Sequence, residues 1–248
     1  MATDPIGYAR APVTGQMQFV GRLKRPAYYC AAHPLIKVDA STSKPVTVLL
    51  GSKLFNLTSD LRCNLNNTGA SGLDAGSLAA NTPYYMYIVD NSGTPALIAS
   101  VRDPSNGPKG FKDRTYIGAV AMSESAATVQ PFRASNGTYL ADHMIEDSGS
   151  TGTAVVLKTF LSMPTTVSSA YFYVTATGNG GSTGRVMSRG TSTEYAIKCT
   201  NEVTGNTSGV YGWVPILTEK TVYLRGTNAG ITTAANFQGW QEDPTEWK

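Results

Sequence analysis

"SGLDAGSLAANTPYYMYIVDNSG", residues 71–93, runs from a turn of small residues into a segment with three tyrosines in four positions. In an extended chain successive side chains point to opposite faces. Tyr84, Met86 and Ile88 then share one face, and Tyr85, Tyr87 and Val89 the other. Both faces are largely apolar, which predicts a central strand covered on both sides. One face belongs to a domain core; an arm of the chain or a neighbouring subunit covers the other. Asn91-Ser92-Gly93-Thr94 is a hairpin signal leading into PALIASV, 95–101. Tyrosine stripes can serve as sugar-stacking platforms, but packing in a core or an interface is their commoner use.

The surrounding text has the same character. VTVLL (46–50), RTYIGAVAM (114–122) and ATVQPFR (127–133) read as further strands. So do TAVVLKTFL (153–161), AYFYVTAT (170–177), RVMS (185–188), EYAIKC (194–199), YGWVPIL (211–217), TVYLRG (221–226) and ANFQGW (235–240). In AYFYVTAT, Tyr171, Tyr173 and Thr175 face one way and Phe172 and Val174 the other. No segment holds a helical period for three turns, so the class is all-β, of sandwich or barrel type. The polar, aperiodic run SNGTYLADHMIEDSGSTG (135–152) marks a boundary. The expected architecture is two tandem antiparallel β-sandwich domains, 46–140 and 141–248, preceded by an extended arm, 1–45.

That arm mixes Arg10, Arg22, Lys24, Arg25, Lys37 and Lys44 with Tyr8, Phe19, Tyr28 and Tyr29, and five prolines interrupt it. Arg22, Lys24, Arg25, Tyr28 and Tyr29 are the candidate attachment residues. A docking role fits better than nucleic-acid binding, because the basic density is modest and the whole chain carries only +3.

Composition excludes other classes. The 248 residues are 41% hydrophobic and 15% charged, enough for a real core and too apolar for disorder. Cys30, Cys63 and Cys199 lie far apart, and with His33 and His143 as the only histidines no zinc-ligand spacing occurs. The thiols read as buried and idle, and no cofactor is called for. No G-x-S-x-G elbow accompanies the histidines, and the glycines of 178–184 do not form a phosphate-binding loop. Asp142, Glu146 and Asp147 are the densest acidic group, yet they fall in the expected linker, which is poor support for catalysis or for calcium. They read as solvated charges. Four N-x-[ST] triplets, at Asn56, Asn66, Asn136 and Asn206, read as chance matches. The opening MATDPIGYAR holds no signal-peptide core and no stretch reads as a membrane span, which predicts synthesis in the cytoplasm and no membrane insertion. Loops 178–184 and 201–209 read as flexible spacers, with outward contacts as the second use.

The run GLDAGSLAANTPYYMYIVDNSGTPALIAS, then RTYIGAVAMSES, then VQPFRASNGTYL, resembles a recurrent module of tailed-bacteriophage structural proteins. The matching positions are Gly72, Leu73, Asp74, Gly76, Thr82, Tyr84, Tyr85, Tyr87, Gly118, Ala119, Val120, Pro131 and Phe132. The second half, with Val156 to Pro164, VPIL, TVYLRG and FQGW, resembles more loosely the β-domain that follows that module. The pattern departs at Pro83, where the module carries a bulky residue. The resemblance implies a non-enzymatic virion component, most directly a tail appendage (fibre, tip or baseplate-associated), attached to other virion proteins by the arm. A homotrimer is expected, with a host cell-surface glycan or protein as the outward partner. The alternative is a capsid decoration or head-fibre protein. A polysaccharide depolymerase stands third, since it needs a carboxylate pair in a groove.

Overall fold

The computed structural model describes residues 8–13, 16–22, 25–124, 127–178, 180–188, 197–217 and 220–242, with the backbone alone for 8–22 and Thr151. Among these residues every regular element is a strand. In chain order they are β1 (Tyr8–Val13), β2 (Gln16–Arg22), β3 (Tyr28–Ala32), β4 (Leu35–Val38), β5 (Val46–Leu50), β6 (Lys53–Leu57), β7 (Leu61–Asn64), β8 (Pro83–Asn91), β9 (Thr94–Ser100) and β10 (Arg114–Ala121). The second half adds β11 (Phe132–Ser135), β12 (Thr138–Ala141), β13 (Glu146–Thr151), β14 (Val156–Thr159), β15 (Val167–Thr177), β16 (Ser182–Met187), β17 (Ile197–Asn201), β18 (Thr207–Pro215), β19 (Thr221–Gly226) and β20 (Thr232–Glu242). All of the strand pairs are antiparallel, so the fold is the all-β, sandwich-type arrangement that the strand pattern predicts.

One long sheet organises the molecule, in the order β18-β15-β20-β12-β11-β3-β4-β7, with β13 also on β20. A three-stranded sheet, β10-β8-β9, packs beside its β7 end, and a four-stranded sheet, β14-β19-β16-β17, faces β15 and β20. The β1-β2 and β5-β6 hairpins complete the set. The 11-residue strand β20 makes the join. Its first part, Thr232 to Phe237, pairs β13, and Gly239 to Gln241 pairs β12, while β15 follows it along the other edge. A bulge opposite Tyr171/Phe172 separates the two parts and lets the strand change partner.

Two expectations are corrected by this topology. Residues 28–38 are not an extended arm: Cys30, Ile36 and Val38 are fully buried, and β3 and β4 are interior strands between β11 and β7. Nor do the sheets divide at residue 140. β12, from the first half, hydrogen-bonds to β20, from the second, and one buried cluster runs from Tyr28 to Trp240. The run 135–152 is two strands and a turn, not a linker. Asn136 and Gly137 both take positive φ, at 50° and 79°, which makes the tight hairpin between β11 and β12.

A chain of aromatic contacts crosses the join. Tyr28 meets Phe132 edge-on, Phe132 stacks on Tyr139, and Tyr139 stacks on Trp240 at 3.8 Å between centroids. Trp240 continues to Phe237, Phe172 and Phe160. Large rings of this kind dominate core burial and resist sliding because their offset geometry is specific.

Candidate functional site

The central-strand expectation for 84–90 holds: β8 lies between β10 and β9, with Tyr84 to Val89 buried on both faces. Each tyrosine hydroxyl ties down a different loop. Tyr84 donates to the Ser77 carbonyl at 3.1 Å and accepts from the Ala79 amide at 3.0 Å. Tyr87 donates to the Arg102 carbonyl at 2.8 Å. Tyr85 accepts from the Thr165 amide at 3.1 Å and shares a 2.8 Å hydrogen bond with the Thr165 hydroxyl. Burial pushes all three phenols above their ordinary pKa, since phenolate is the form that loses most on leaving water. Cover for this strand comes from within the chain: Tyr116 packs on Tyr85 and Tyr87, and Thr165 lies over Tyr85.

The glycine-rich turn before the strand is equally committed. Leu73 is buried and bridges both Thr68 and Ala99. Asp74 accepts from the Ser100 hydroxyl at 2.8 Å and the Lys109 amide at 2.7 Å. Gly72 touches Asn67 so closely that a Cβ would stand 2.5 Å from its carbonyl oxygen. Gly118 sits at the β10 bulge with φ of 148°, where a Cβ would meet the Tyr28 hydroxyl at 2.2 Å. Only glycine leaves room there for the Tyr28 ring to cross the strand.

The five candidate attachment residues separate. The side chains of Arg22 and Lys24 lie outside the described residues. Tyr28 is buried and donates to the Ala119 carbonyl at 2.7 Å. Arg25 is buried too: its guanidinium pairs with Glu242, the two side chains being 5% and 1% exposed, and it stands 4.7 Å above the Tyr116 ring. Tyr116 donates to the same carboxylate at 2.6 Å and Thr166 at 3.2 Å. A charge pair so far from water persists only when its remaining sites are hydrogen-bonded, as they are on Glu242. Of the three whose side chains are described, Tyr29 is the one that reaches the surface, where it bonds Asp39 at 3.2 Å beside the Lys37–Asp39 and Lys37–Asp60 ion pairs. Arg25 and Tyr28 are therefore built into the fold, the one paired with Glu242 and the other bonded to Ala119.

The acidic group also divides. Glu146 is buried and accepts from the Leu161 amide at 3.0 Å, the Ser162 amide at 2.9 Å and the Ser162 hydroxyl. It caps the turn before β15 instead of being solvated, while Asp142 and Asp147 stay near the surface. The three cysteines are buried and unpaired with one another, as expected, and burial raises the Cys30 thiol to about 11 and Cys63 to about 12. His33 takes a structural contact, accepting from the Val129 amide at 3.3 Å. Among the described residues no group of three or more His, Cys, Asp or Glu stands close enough to hold a metal ion, and no helix is long and apolar enough to cross a membrane. Loops 178–184 and 201–209 meet each other: the buried Asn201 amide donates to the carbonyls of Gly178 at 3.0 Å and Asn206 at 2.8 Å. They are stitched together, not free spacers.

One exposed feature was only half legible. Along β15 the alternation holds, with Ala170, Phe172, Val174 and Ala176 buried and Tyr171 and Tyr173 turned outward. In register beside them on β18 stand Trp213 and Tyr211, 39% and 55% exposed. Tyr171 and Tyr211 are stacked within 14° of parallel, Tyr173 lies 4.6 Å from Tyr211, and Tyr171 lies 5.0 Å from Trp213. The alternation in YGWVP carried the signal for β18, but which strand lies beside β15 is a tertiary fact. Comparison with protein-family models and with curated proteins finds no match.

Proposed function

We propose that the chain is a structural component of a tailed-bacteriophage particle, in a tail appendage, attached through its first residues. The observation that carries this reading is how the phage-like module is used. Gly72, Leu73, Asp74, Gly118 and the three tyrosines of β8 put their polar atoms or their lack of a side chain into holding loops to sheets. A motif made of fold-holding residues suits a rigid building block, whose work is to present surfaces. The attachment segment narrows to residues 1–24, since Arg25 and Tyr28 belong to the folded body. The trimer expectation rested on an apolar face of β8 needing a neighbour; that face has its cover within the chain, so symmetry rests on the resemblance alone.

Immunogold labelling of particles tests the reading. Gold on the tail is the expected result. Gold on the capsid would move the protein to the decoration alternative, and unlabelled particles alongside labelled free protein would remove both.

A further inference from the structure

The outer face of β15 and β18 carries the strongest unassigned feature, and from it we infer a binding platform for a neutral carbohydrate. Tyr171, Tyr173, Tyr211 and Trp213 form a contiguous aromatic surface on two adjacent strands, uncovered by any described element. Their opposite faces on the same strands bury Phe172, Val174 and Val214 in the core, so the platform is held by rigid sheet. One ring is held down against the sheet. Gly209, opposite Thr175, is where Tyr173 lies across the neighbouring strand: a Cβ there would stand 2.1 Å from the Tyr173 hydroxyl and 2.4 Å from Cζ. A side chain at 209 would push the ring out of the surface.

Charge and area select the occupant. In register on this face across β18, β15 and β20 stand Thr, Ser, Gly, Ala, Asn, Gln and Pro beside the aromatics, with no charged residue; the first charge is Asp147, beside Asn236 on the next strand. A nucleic acid stacking on aromatic rings needs cations along its backbone, which the described strands of this face lack. Tyr211 and Trp213, 55% and 39% exposed, offer roughly 200 Å² of surface between them, taking a large aromatic side chain as about 150–250 Å², and the half-buried Tyr171 and Tyr173 add to it. A stable dimer buries about 800 Å² per partner. A neutral aromatic patch of this size, rimmed by hydroxyls and amides, matches the apolar C–H face of one or two pyranose rings with their hydroxyls reaching the rim. The inference stands on the face itself and is measured on purified protein, so it succeeds or fails independently of where the protein sits on a particle.

The test is saturation-transfer NMR and titration of the full chain with neutral tetrasaccharides of glucose, galactose and N-acetylglucosamine, with a thymidine oligonucleotide and a proline-rich peptide as competitors in class. Binding of at least one sugar is expected, weakened about five- to tenfold by Tyr211→Ser and by Trp213→Ala. Gly209→Ala, which keeps all four rings but lifts Tyr173, is expected to weaken it as well. Each variant is first checked for wild-type circular dichroism, and Tyr211→Ser, at an exposed position, serves if another fails to fold. The inference is overturned if no sugar binds at millimolar concentration, if the variants bind as wild type, or if the oligonucleotide or peptide alone binds this face. Sedimentation showing that Tyr211→Ser splits an oligomer into monomers would also overturn it, by assigning the face to a second copy.

Discussion

Six tyrosines, Tyr28, Tyr84, Tyr85, Tyr87, Tyr116 and Tyr139, have phenols raised above the ordinary 10.0, in each case chiefly by burial. For Tyr28 and Tyr116 the neighbouring Glu242 adds to the effect, because a second negative charge beside a carboxylate is unfavourable. The sign follows from linkage. The folded state holds these groups neutral, so their contribution to stability is complete below the unfolded value near 10.0 and is lost as pH rises through the folded values. An alkaline titration followed by phenolate absorbance and circular dichroism should therefore show these six of the 13 tyrosines ionising only together with loss of the sheet signal. A smooth titration of all tyrosines with the fold intact would contradict the burial. That Tyr84, Tyr85 and Tyr87 would be inside was legible from YYMYIVD, where both faces of the strand are apolar, whereas Tyr28 read as an attachment residue. Which loop each hydroxyl would tie down was not, since Thr165 is 80 residues from Tyr85.

At the scale of elements, β3 and β4 are the instructive case. Prolines at 26 and 34 and the interleaved basic residues gave this segment the look of an arm. Yet Pro26 precedes the first strand residue and Pro34 lies in the turn between the two strands, positions where no ladder hydrogen bond is needed from proline. Lys37 keeps its charge in water through pairs with Asp39 and Asp60 while Ile36 and Val38 face the core. Deletions separate attachment from folding. Removing residues 1–24 should leave a folded β-protein that no longer enters particles, whereas removing 1–45 takes out β3 and β4 and should give insoluble or unfolded chain. Circular dichroism and particle incorporation measure the two effects, and a folded 1–45 deletion would refute the role given to these strands. The hairpin at Asn136-Gly137 is the opposite lesson. Its dipeptide is among the strongest short-range turn signals, and the polar residues around it obscured the short strands on either side.

At the scale of the whole molecule, β20 and β15 determine cooperativity. β20 holds β12 and β13 on one edge and β15 on the other, and the Tyr139–Trp240 stack lies across the join. Arg25 and Glu242, 217 residues apart along the chain, close the same region. The two halves share one sheet and one buried cluster, so calorimetry should find one unfolding transition, with calorimetric and van't Hoff enthalpies in agreement. Two resolved transitions, or a 1–140 fragment that folds by itself, would show two independent units instead. The aromatic face of β15 and β18 lies on this shared sheet, which gives it the rigidity a stacking surface needs.

The strand-rich class, the buried two-sided β8, the turn at Ser92-Gly93 and the in-and-out alternation of β15 were determined by the sequence itself. Each depends on side-chain periodicity or on backbone preferences spanning a few residues. Only the tertiary structure decided that residues 28–38 are interior, that the sheet crosses residue 140, that Arg25 pairs with Glu242, and that Tyr211 and Trp213 stand beside Tyr171 and Tyr173. These are pairings between strands distant along the chain. Antiparallel strands share the same local pattern whichever partner they take, so the choice of partner rests on how the aromatic rings and the buried Arg25–Glu242 pair fit together in three dimensions.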